Sequence, residues 1–268
     1  MNAKDGSIVW HYDSLPHVNG TGNSLYSGRV TLDTLPGLNN FILQDVPRGL
    51  YVRDMNNQTS GAGTQFVDND NVWGDSTLTN RQTVAVDAQF GAAMSVDYFA
   101  YVHGRNVGKM TSYVQYGSNY TDAHGVNNTL TFGGGDGSKF GPLVSLDLVG
   151  HEFTHSVTQY SAGLKYVGES GAINESFSDI FGTAIEFYAD IREFNANINP
   201  NYLIGESFYT PGIAGDALRS MEDPPSMHFY DDLYLKTGKG DPDHYSKRYT
   251  GSSDNGGVHS NSGIMNKV

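Results

Sequence analysis

Two histidines and a glutamate lie within five consecutive residues and have the spacing of a metal site. They are His151, Glu152 and His155 in the run His-Glu-Phe-Thr-His. Residues four apart share one face of a helix, so both imidazoles could bind the same cation. Glu152 would then be close enough to reach a metal-bound water. A chance match is the alternative, but the pattern favours a zinc site.

A zinc site of this kind needs a third protein ligand, and Glu175 is the candidate. It follows His155 by twenty positions, and Asp179, four residues later, shares its helical face. An ordinary solvated acidic face is the alternative, but these two acids interrupt an otherwise apolar helix. Two histidines and one glutamate leave a fourth position open, as in catalytic zinc sites. Asp179 is then expected to accept a ring N–H from a ligand histidine.

The sequence around these residues resembles the thermolysin-like neutral metalloproteases. The resemblance covers about residues 20–268, and its most specific runs are 169–182, 209–213, 240–251 and 254–263. It implies a secreted zinc-dependent endopeptidase that acts on peptides or proteins. It also implies one catalytic zinc on His151, His155 and Glu175, and a propeptide that serves as inhibitor and chaperone.

The same resemblance assigns catalytic roles to further residues. It makes Glu152 the general base and later the proton donor to the leaving amine. It makes His259 and Tyr166 the groups that stabilise the oxyanion, with Asp254 as the partner of His259. It also makes Asp179 the partner of His151, and Arg219 the group that holds the substrate backbone. Such fixed donors would meet the charge that develops when zinc polarises the scissile carbonyl. Without the surrounding motif, a histidine such as His259 would more often be a surface residue.

The resemblance also implies an apolar primary pocket. Its lining falls on Phe140, Leu143, Leu148 and Leu218. Large apolar side chains just after the cleaved bond are the expected preference.

Calcium is the second metal that the resemblance implies, with one to three ions expected. The positions are Asp147, Glu186 and Glu206 for a double site, Asp68 and Asp70 for a loop site, and Tyr209, Thr210, Ile213 and Asp216 for another. All supply oxygen, if Ile213 uses its carbonyl. Asn201 and Leu203 replace two acids of the double site, which favours a single ion there. A polar turn is the alternative for Asp68 and Asp70.

Three features depart from the family pattern. Asp122 stands where a neutral amide would contact the peptide, and Gly125 where an indole would lie. Residues 226–238 look like an insertion beside the cleft. The chain ends soon after His259, where the family continues through most of a helical lobe, so an inactive zinc- and calcium-binding fragment is an alternative to a working enzyme. A partner-binding module with a decayed site is a weaker alternative, because the zinc ligands and Glu152 are all present.

The elements that must position these residues follow from hydrophobic periodicity. Short apolar runs separated by turn residues predict strands over residues 25–53, beginning with Leu25-Tyr26, and a polar loop over 54–76. Helical spacing predicts helices over 83–104, 145–159 and 172–189. We therefore expect an α+β fold. Its expected parts are a propeptide remnant (1–19), a β-rich N-terminal catalytic lobe that carries the zinc helix (20–166), and the start of a helical C-terminal lobe (167–268).

Composition excludes several other classes of protein. The chain has 16 Lys and Arg against 29 Asp and Glu, a net charge of −13. This argues against nucleic acid and anionic membranes as partners. With no cysteine, the 268 residues cannot form a disulfide scaffold or a thiolate metal site. No apolar run has the length of a membrane span.

Overall fold

The computed structural model describes residues 16–193 and 196–267. The expected α+β architecture is confirmed, with a β-rich N-terminal part and a helical C-terminal region. The strands are β1 (Val18–Asn23), β2 (Arg29–Pro36), β3 (Phe41–Ile42), β4 (Gln44–Asp45), β5 (Leu50–Asp54), β6 (Thr64–Gln65), β7 (Val67–Asp68), β8 (Val72–Trp73), β9 (Met110–Tyr116), β10 (Ala123–Val126), β11 (Thr129–Gly133), β12 (Leu203–Ile204) and β13 (Arg219–Ser220). The helices are α1 (Arg81–His103), α2 (Leu146–Gln159), α3 (Gly168–Arg192), α4 (Asp254–Asn261) and α5 (Gly263–Asn266).

Two sheets form the N-terminal part. One has the strand order β7-β3-β2-β1-β8, and the other has the order β10-β11-β9-β5-β4 with β6 beside β5. β1 is antiparallel to β2, with Val18 opposite Thr34. The first described strand therefore starts two residues before the predicted lobe boundary at Gly20. Most of the predicted propeptide remnant, residues 1–15, lies outside the described residues, and the assignment stays a prediction.

Two local predictions in this part were wrong. Leu25 and Tyr26 are not in a strand, because their backbone N–H groups donate to the carboxylate of Asp87 at 2.7 and 3.2 Å. The segment 54–76 is not all loop, since it contains the two-residue strands β6, β7 and β8. Such short strands lack the periodicity on which a sequence-based prediction depends.

The long helix α1 packs against the strands and forms much of the core. Asn80 caps its start by accepting from the backbone of Gln82, and Gly104 ends it with a φ of 62°. Its buried residues join those of the sheets and of α2 in one apolar cluster. Large members are Trp73, Phe90, Phe132, Phe153 and Leu50.

Helices α2 and α3 carry the predicted zinc ligands and cross at very short range. A Cβ added to Gly182 would lie 2.4 Å from the carbonyl oxygen of Asp147, and one on Gly150 would lie 3.0 Å from the Cα of Gly182. Only glycine leaves room for this approach, which places the two backbones in direct contact. The crossing brings the side chains of α2 against those of α3.

The C-terminal region contains less regular structure beyond α3. β12 and β13 are antiparallel, with Leu203 opposite Ser220 and Ile204 opposite Arg219. The first four residues of α4, 254–257, have positive φ, so its regular part is short. Among the described residues, no helix is both long and apolar enough to cross a bilayer.

Candidate active site

The three predicted zinc ligands converge in the structure. The Nε2 atoms of His151 and His155 are 3.0 Å apart. The carboxylate of Glu175 lies 3.4 Å from the first and 3.2 Å from the second. Ligands bound to zinc at about 2.0–2.1 Å in a tetrahedron are roughly 3.3 Å apart. The separations therefore fit one zinc ion bound by all three side chains.

Contacts on the far side of each imidazole decide which nitrogen faces this centre. Nδ1 of His151 is 2.8 Å from Oδ1 of Asp179, and Nδ1 of His155 is 2.8 Å from Oδ1 of Asn174. Both oxygens are acceptors, so each Nδ1 carries the proton and donates. Nε2 is left to face the centre in both rings, as a metal ligand requires.

The electrostatics of the centre attract positive charge. Burial would lower the pKa of His151, but Glu175 and Asp179 outweigh it and raise the pKa to about 10. For Glu175, burial alone would raise the pKa. Three nearby histidines, of which His259 has the largest effect, instead hold the pKa well below its usual range. Oε2 of Glu175 is buried and accepts no hydrogen bond from the described residues. A buried oxygen whose hydrogen-bonding capacity is unfilled is costly, and a bound cation would satisfy it.

Asp179 connects the zinc helix to the C-terminal region. Besides His151, it accepts two hydrogen bonds from Arg219, at 2.7 and 2.6 Å, and one from Nδ2 of Asn266 at 2.7 Å. Burial opposes ionisation, but Arg219 and His151 lower its pKa to about 2. Asp179 is therefore a charged anchor that fixes the ring of His151.

Glu152 lies beside the ligands and is 5% exposed. Burial raises the pKa of its carboxyl group, partly offset by His151 and His155. The edge strand β10 approaches its backbone, since a Cβ on Gly125 would lie 1.9 Å from the carbonyl oxygen of Glu152. A side chain at Gly125 would force strand and helix apart, which gives a physical reason for glycine at this departure from the family pattern.

Tyr166 and His259 meet at the same centre although 93 positions separate them. The Tyr166 hydroxyl lies 3.0 Å from Nε2 of His259 and also donates to Glu175. Asp254 accepts from Nδ1 of His259 at 2.6 Å and from its backbone N–H at 2.9 Å. The Tyr166 hydroxyl and the Nε2 edge of the His259 ring therefore both lie beside the carboxylate of Glu175, at the edge of the centre.

Arg219 and the predicted pocket residues lie on the adjoining wall. Nε and Nη2 of Arg219 are used by Asp179, whereas its buried Nη1 has no hydrogen-bond partner among the described residues. The predicted pocket residues belong to one apolar cluster with Phe208 and Tyr209. Its buried members are Phe140, Leu143, Leu148, Phe208, Tyr209 and Leu218.

The acids predicted for the double calcium site are near enough to influence one another's ionisation, but their carboxylate oxygens do not all lie within 4.8 Å of one another. Asp147 and Glu186 are buried, and burial together with the charges of Asp147 and Glu206 raises the pKa of Glu186 to about 9. Burial and Asp147 raise the pKa of Glu206 to about 7. Asn201, one of the two replacements in the double site, donates to Glu206 at 2.8 Å. Mutual repulsion of this kind is what a bound cation would relieve.

The other predicted calcium residues lie in turns or directly beside them, with Asp68 at the end of β7. Oδ1 of Asp68 accepts from the backbone of Asp70 and Asn71, each at 2.9 Å, as in the alternative reading of a polar turn. In the second loop, the Thr210 hydroxyl donates to Asp216 at 2.7 Å. Tyr209 precedes Thr210, and the backbone N–H of Ile213 donates to the carbonyl of Thr210 at 2.8 Å. Both loop sites stay predictions.

Comparisons with known proteins agree with this geometry. A family model described as the thermolysin metallopeptidase catalytic domain matches residues 19–159, and one described as the alpha-helical domain matches residues 162–268. The chain belongs to the thermolysin metallopeptidase family. The resemblance found in the sequence is thereby confirmed, and thermolysin-family membership implies zinc at the His151, His155 and Glu175 centre.

Individual thermolysin-family members are similar over much of the chain. Thermolysin of Alicyclobacillus acidocaldarius subsp. acidocaldarius is 47% identical over 236 residues, which is 85% of this chain and 39% of the relative. Bacillolysin of Brevibacillus brevis is 42% identical over 276 residues, covering 100% of this chain and 46% of the relative. The chain thus spans less than half the length of these curated relatives. The solved precursor of protealysin, a metalloproteinase from Serratia proteamaculans, is 33% identical with a TM-score of 0.66, covering 81% of this chain and 66% of that one.

Several contacts of this thermolysin-family centre were missed in the sequence. Asn174 and Ser178, which lie 2.8 and 3.1 Å from Nδ1 of His155, flank Glu175 and Asp179 on α3. Their place on the ligand face was a usable signal. Asn266 had no such signal, because it lies 87 positions from Asp179. The aromatic residues of the predicted insertion were also not expected to touch the centre.

Proposed function

We propose that the protein is a secreted zinc-dependent endopeptidase and that this chain carries its catalytic centre. The observation that carries the proposal is the convergence of His151, His155 and Glu175 at separations that suit one zinc ion. Among the described residues, three side chains form the ligand cluster, and a centre with three protein ligands has a fourth position for water or substrate. Membership of a metallopeptidase family supports the reaction class.

Each residue of the centre has a role that its contacts suit. Zinc would supply a Lewis acid that polarises the scissile carbonyl and acidifies water. Glu152 takes the proton from the attacking water and delivers it to the leaving amine, and its raised pKa suits this exchange. Tyr166 and His259 donate hydrogen bonds to the developing oxyanion. Arg219 holds the substrate backbone in this proposal, and its Nη1, which is buried and has no partner among the described residues, is the donor left for that contact.

The apolar cluster beside the centre supports a preference for certain side chains in the peptide substrate. Phe140, Leu143, Leu148 and Leu218 would contact the side chain that follows the cleaved bond. Burying a large apolar side chain contributes about 1.5–3 kcal/mol. We therefore propose that large apolar residues are favoured at this position.

Calcium and a propeptide complete the proposal. The buried acids Asp147 and Glu186, with the half-buried Glu206, would bind one structural calcium ion, and the two turn sites bring the proposed number to between one and three. The precursor form of the similar protealysin structure supports a propeptide that inhibits the enzyme before maturation.

The test is zinc-dependent turnover by the full-length protein. We expect one zinc per chain and cleavage of a quenched fluorescent peptide that stops with a chelator and returns with added zinc. His155→Ala should lose both zinc and turnover, whereas His124→Ala, an exposed histidine on β10, should keep its zinc. Zinc binding without any turnover would favour the inert metal-binding alternative, and full zinc retention by His155→Ala would refute the ligand assignment.

A further inference from the structure

The predicted insertion, residues 226–238, returns to the cleft and places two aromatic side chains there. Phe229 packs edge-on against Phe140 and Tyr209, with ring centroids 5.7 and 5.1 Å apart. It therefore attaches the segment to the apolar cluster beside the centre. The next residue, Tyr230, lies deeper in the cleft.

Tyr230 lies flat against the imidazole of His259. The two ring centroids are 4.7 Å apart and the planes differ by only 4°. The guanidinium carbon of Arg219 is 5.2 Å from the centroid of the same tyrosine ring. One aromatic ring thus contacts two of the hydrogen-bond donors of the proposed mechanism, at distances typical of stacking and cation–π contacts.

The segment that carries Tyr230 is held at both ends. Asp231 is fully buried, and its carboxylate accepts from Thr237 N and Oγ1, at 3.0 and 2.6 Å, and from Gly238 N at 2.6 Å. At the base, the N–H of Asp241 donates to the carbonyl of Met227 at 3.2 Å. Tyr230 therefore starts from a fixed backbone, which lowers the conformational entropy lost in holding its ring in place.

A stacked ring would supply a restraint that hydrogen bonding alone does not. Asp254 and the Tyr166 hydroxyl contact the His259 imidazole at Nδ1 and Nε2, and these two contacts leave the ring free to tilt about the line that joins the two nitrogens. A flat neighbour restricts that tilt. In this orientation Nε2 lies 3.0 Å from the Tyr166 hydroxyl, at the mouth of the metal centre.

We propose that Tyr230 is a positioning residue, which holds the imidazole of His259 by stacking so that Nε2 faces the developing oxyanion. The inference rests on the proposed function, in which His259 donates to that oxygen. It assigns a role in the reaction to an insertion that the sequence marked only as lying beside the cleft. The aromatic ring, and not the hydroxyl, is the part that acts.

The experiment compares Tyr230→Leu with Tyr230→Phe in the zinc-loaded full-length protein. Leucine keeps apolar volume without a flat ring, and phenylalanine keeps the ring. We expect Tyr230→Leu to lower kcat by about three- to tenfold, the factor that one aromatic pair corresponds to, with KM changed less than about twofold. Tyr230→Phe should restore kcat to within about twofold of the parent. Tyr101→Leu, an exposed and remote tyrosine, is the matched control.

A second readout does not depend on turnover. The ring protons of His259, assigned by their loss in His259→Asn, should be shifted upfield by the tyrosine ring in the parent and in Tyr230→Phe, but not in Tyr230→Leu. Zinc content and melting temperature are measured for every variant.

Four results would each overturn the inference. The first three are unchanged His259 resonances in Tyr230→Leu, a parental kcat in that variant, and a loss that Tyr230→Phe does not restore. The fourth is a loss that merely tracks reduced zinc content, since it would assign the effect to folding. If the parent shows no zinc-dependent turnover, the proposed function fails separately, and the resonances still decide whether Tyr230 holds His259.

Discussion

At the scale of single residues, environment gives two nearby glutamates different properties. Glu175 faces three histidines, which hold its pKa well below the usual range despite complete burial. Glu152 is nearly as buried, but burial prevails and raises its pKa. The first is suited to remain an anion bound to a cation. The second is suited to gain and lose a proton during a reaction.

Glu152→Gln tests this division of roles. Glutamine keeps the size of the side chain but cannot accept the proton, so turnover by the full-length protein should fall by about 10²–10⁴-fold. Zinc content should remain at one per chain, because Glu152 is not a ligand. Glu169→Gln, on the exposed start of α3, is the control and should keep parental turnover. Near-normal turnover by Glu152→Gln would show that another group is the base.

At the scale of elements, the crossing of α2 and α3 sets the geometry of the centre. Gly182 lies against the backbone of α2 near Asp147 and His151. Because the ligands come from both helices, a shift of one relative to the other changes every ligand separation. The two glycines at the crossing are thus part of the support of the metal centre.

Gly182→Ala should therefore reduce both stability and zinc affinity. Its Cβ would lie 2.4 Å from the carbonyl oxygen of Asp147, an overlap that backbone atoms cannot relieve without moving a helix. We expect a loss of about 1–3 kcal/mol in the free energy of unfolding, by denaturant titration, and weaker zinc binding in a competition assay. Gly212→Ala, where an added Cβ meets nothing within 4 Å, is the matched control. Unchanged zinc affinity in Gly182→Ala would show that the close crossing of the two helices does not set the geometry of the metal centre.

The acidic cluster between α2, α3 and the β12 region predicts calcium-dependent stability. Calcium that binds only the folded state raises the free energy of unfolding by about 2.7 kcal/mol at a hundredfold excess over Kd. Glu186→Gln should abolish most of this response, measured as the rise in Tm on adding calcium at fixed zinc. Asp190→Asn, exposed on the same helix, should keep it. An identical calcium response in Glu186→Gln would remove this residue from the proposed ligands.

At the scale of the whole molecule, a buried acid links stability to pH. Asp241 is 1% exposed and lies between the base of the insertion and α5. Burial raises its pKa to about 8, although Ser260 and Arg219 partly offset the effect. An aspartate in an unfolded chain has a pKa of about 3.9. The folded state therefore holds this proton over a range of pH in which the unfolded state has released it.

The sign of the resulting pH dependence follows from this difference. The contribution of Asp241 to stability is complete below about pH 4 and decreases as pH rises, until it is lost above about pH 8. The limiting slope for one group is about 1.4 kcal/mol per pH unit. Asp241→Asn stays neutral at every pH, so its stability relative to the parent should increase from pH 5 to pH 9 in urea titrations of the full-length protein. Asp232→Asn, an exposed acid nearby, should follow the parent. A constant difference between Asp241→Asn and the parent across this range would contradict the prediction.

The sequence by itself determined the features that depend on local spacing. Helical periodicity located α1, α2 and α3 to within a few residues, and the i, i+4 relation put His151 with His155, and Glu175 with Asp179, on common faces. These relations hold in any α-helix, because 3.6 residues make a turn. The long ordered runs identified the family, and with it the residues expected at the centre.

Only the tertiary structure decided which distant groups meet. Tyr166 and His259, Asp179 and Asn266, and the rings of Tyr230 and His259 come together through the packing of separate segments. No local period encodes such contacts, since they depend on how closely helices cross and where an irregular segment returns. The same reason explains the wrong strand at Leu25-Tyr26. There a buried carboxylate on α1 takes the backbone N–H groups that a neighbouring strand would otherwise have used.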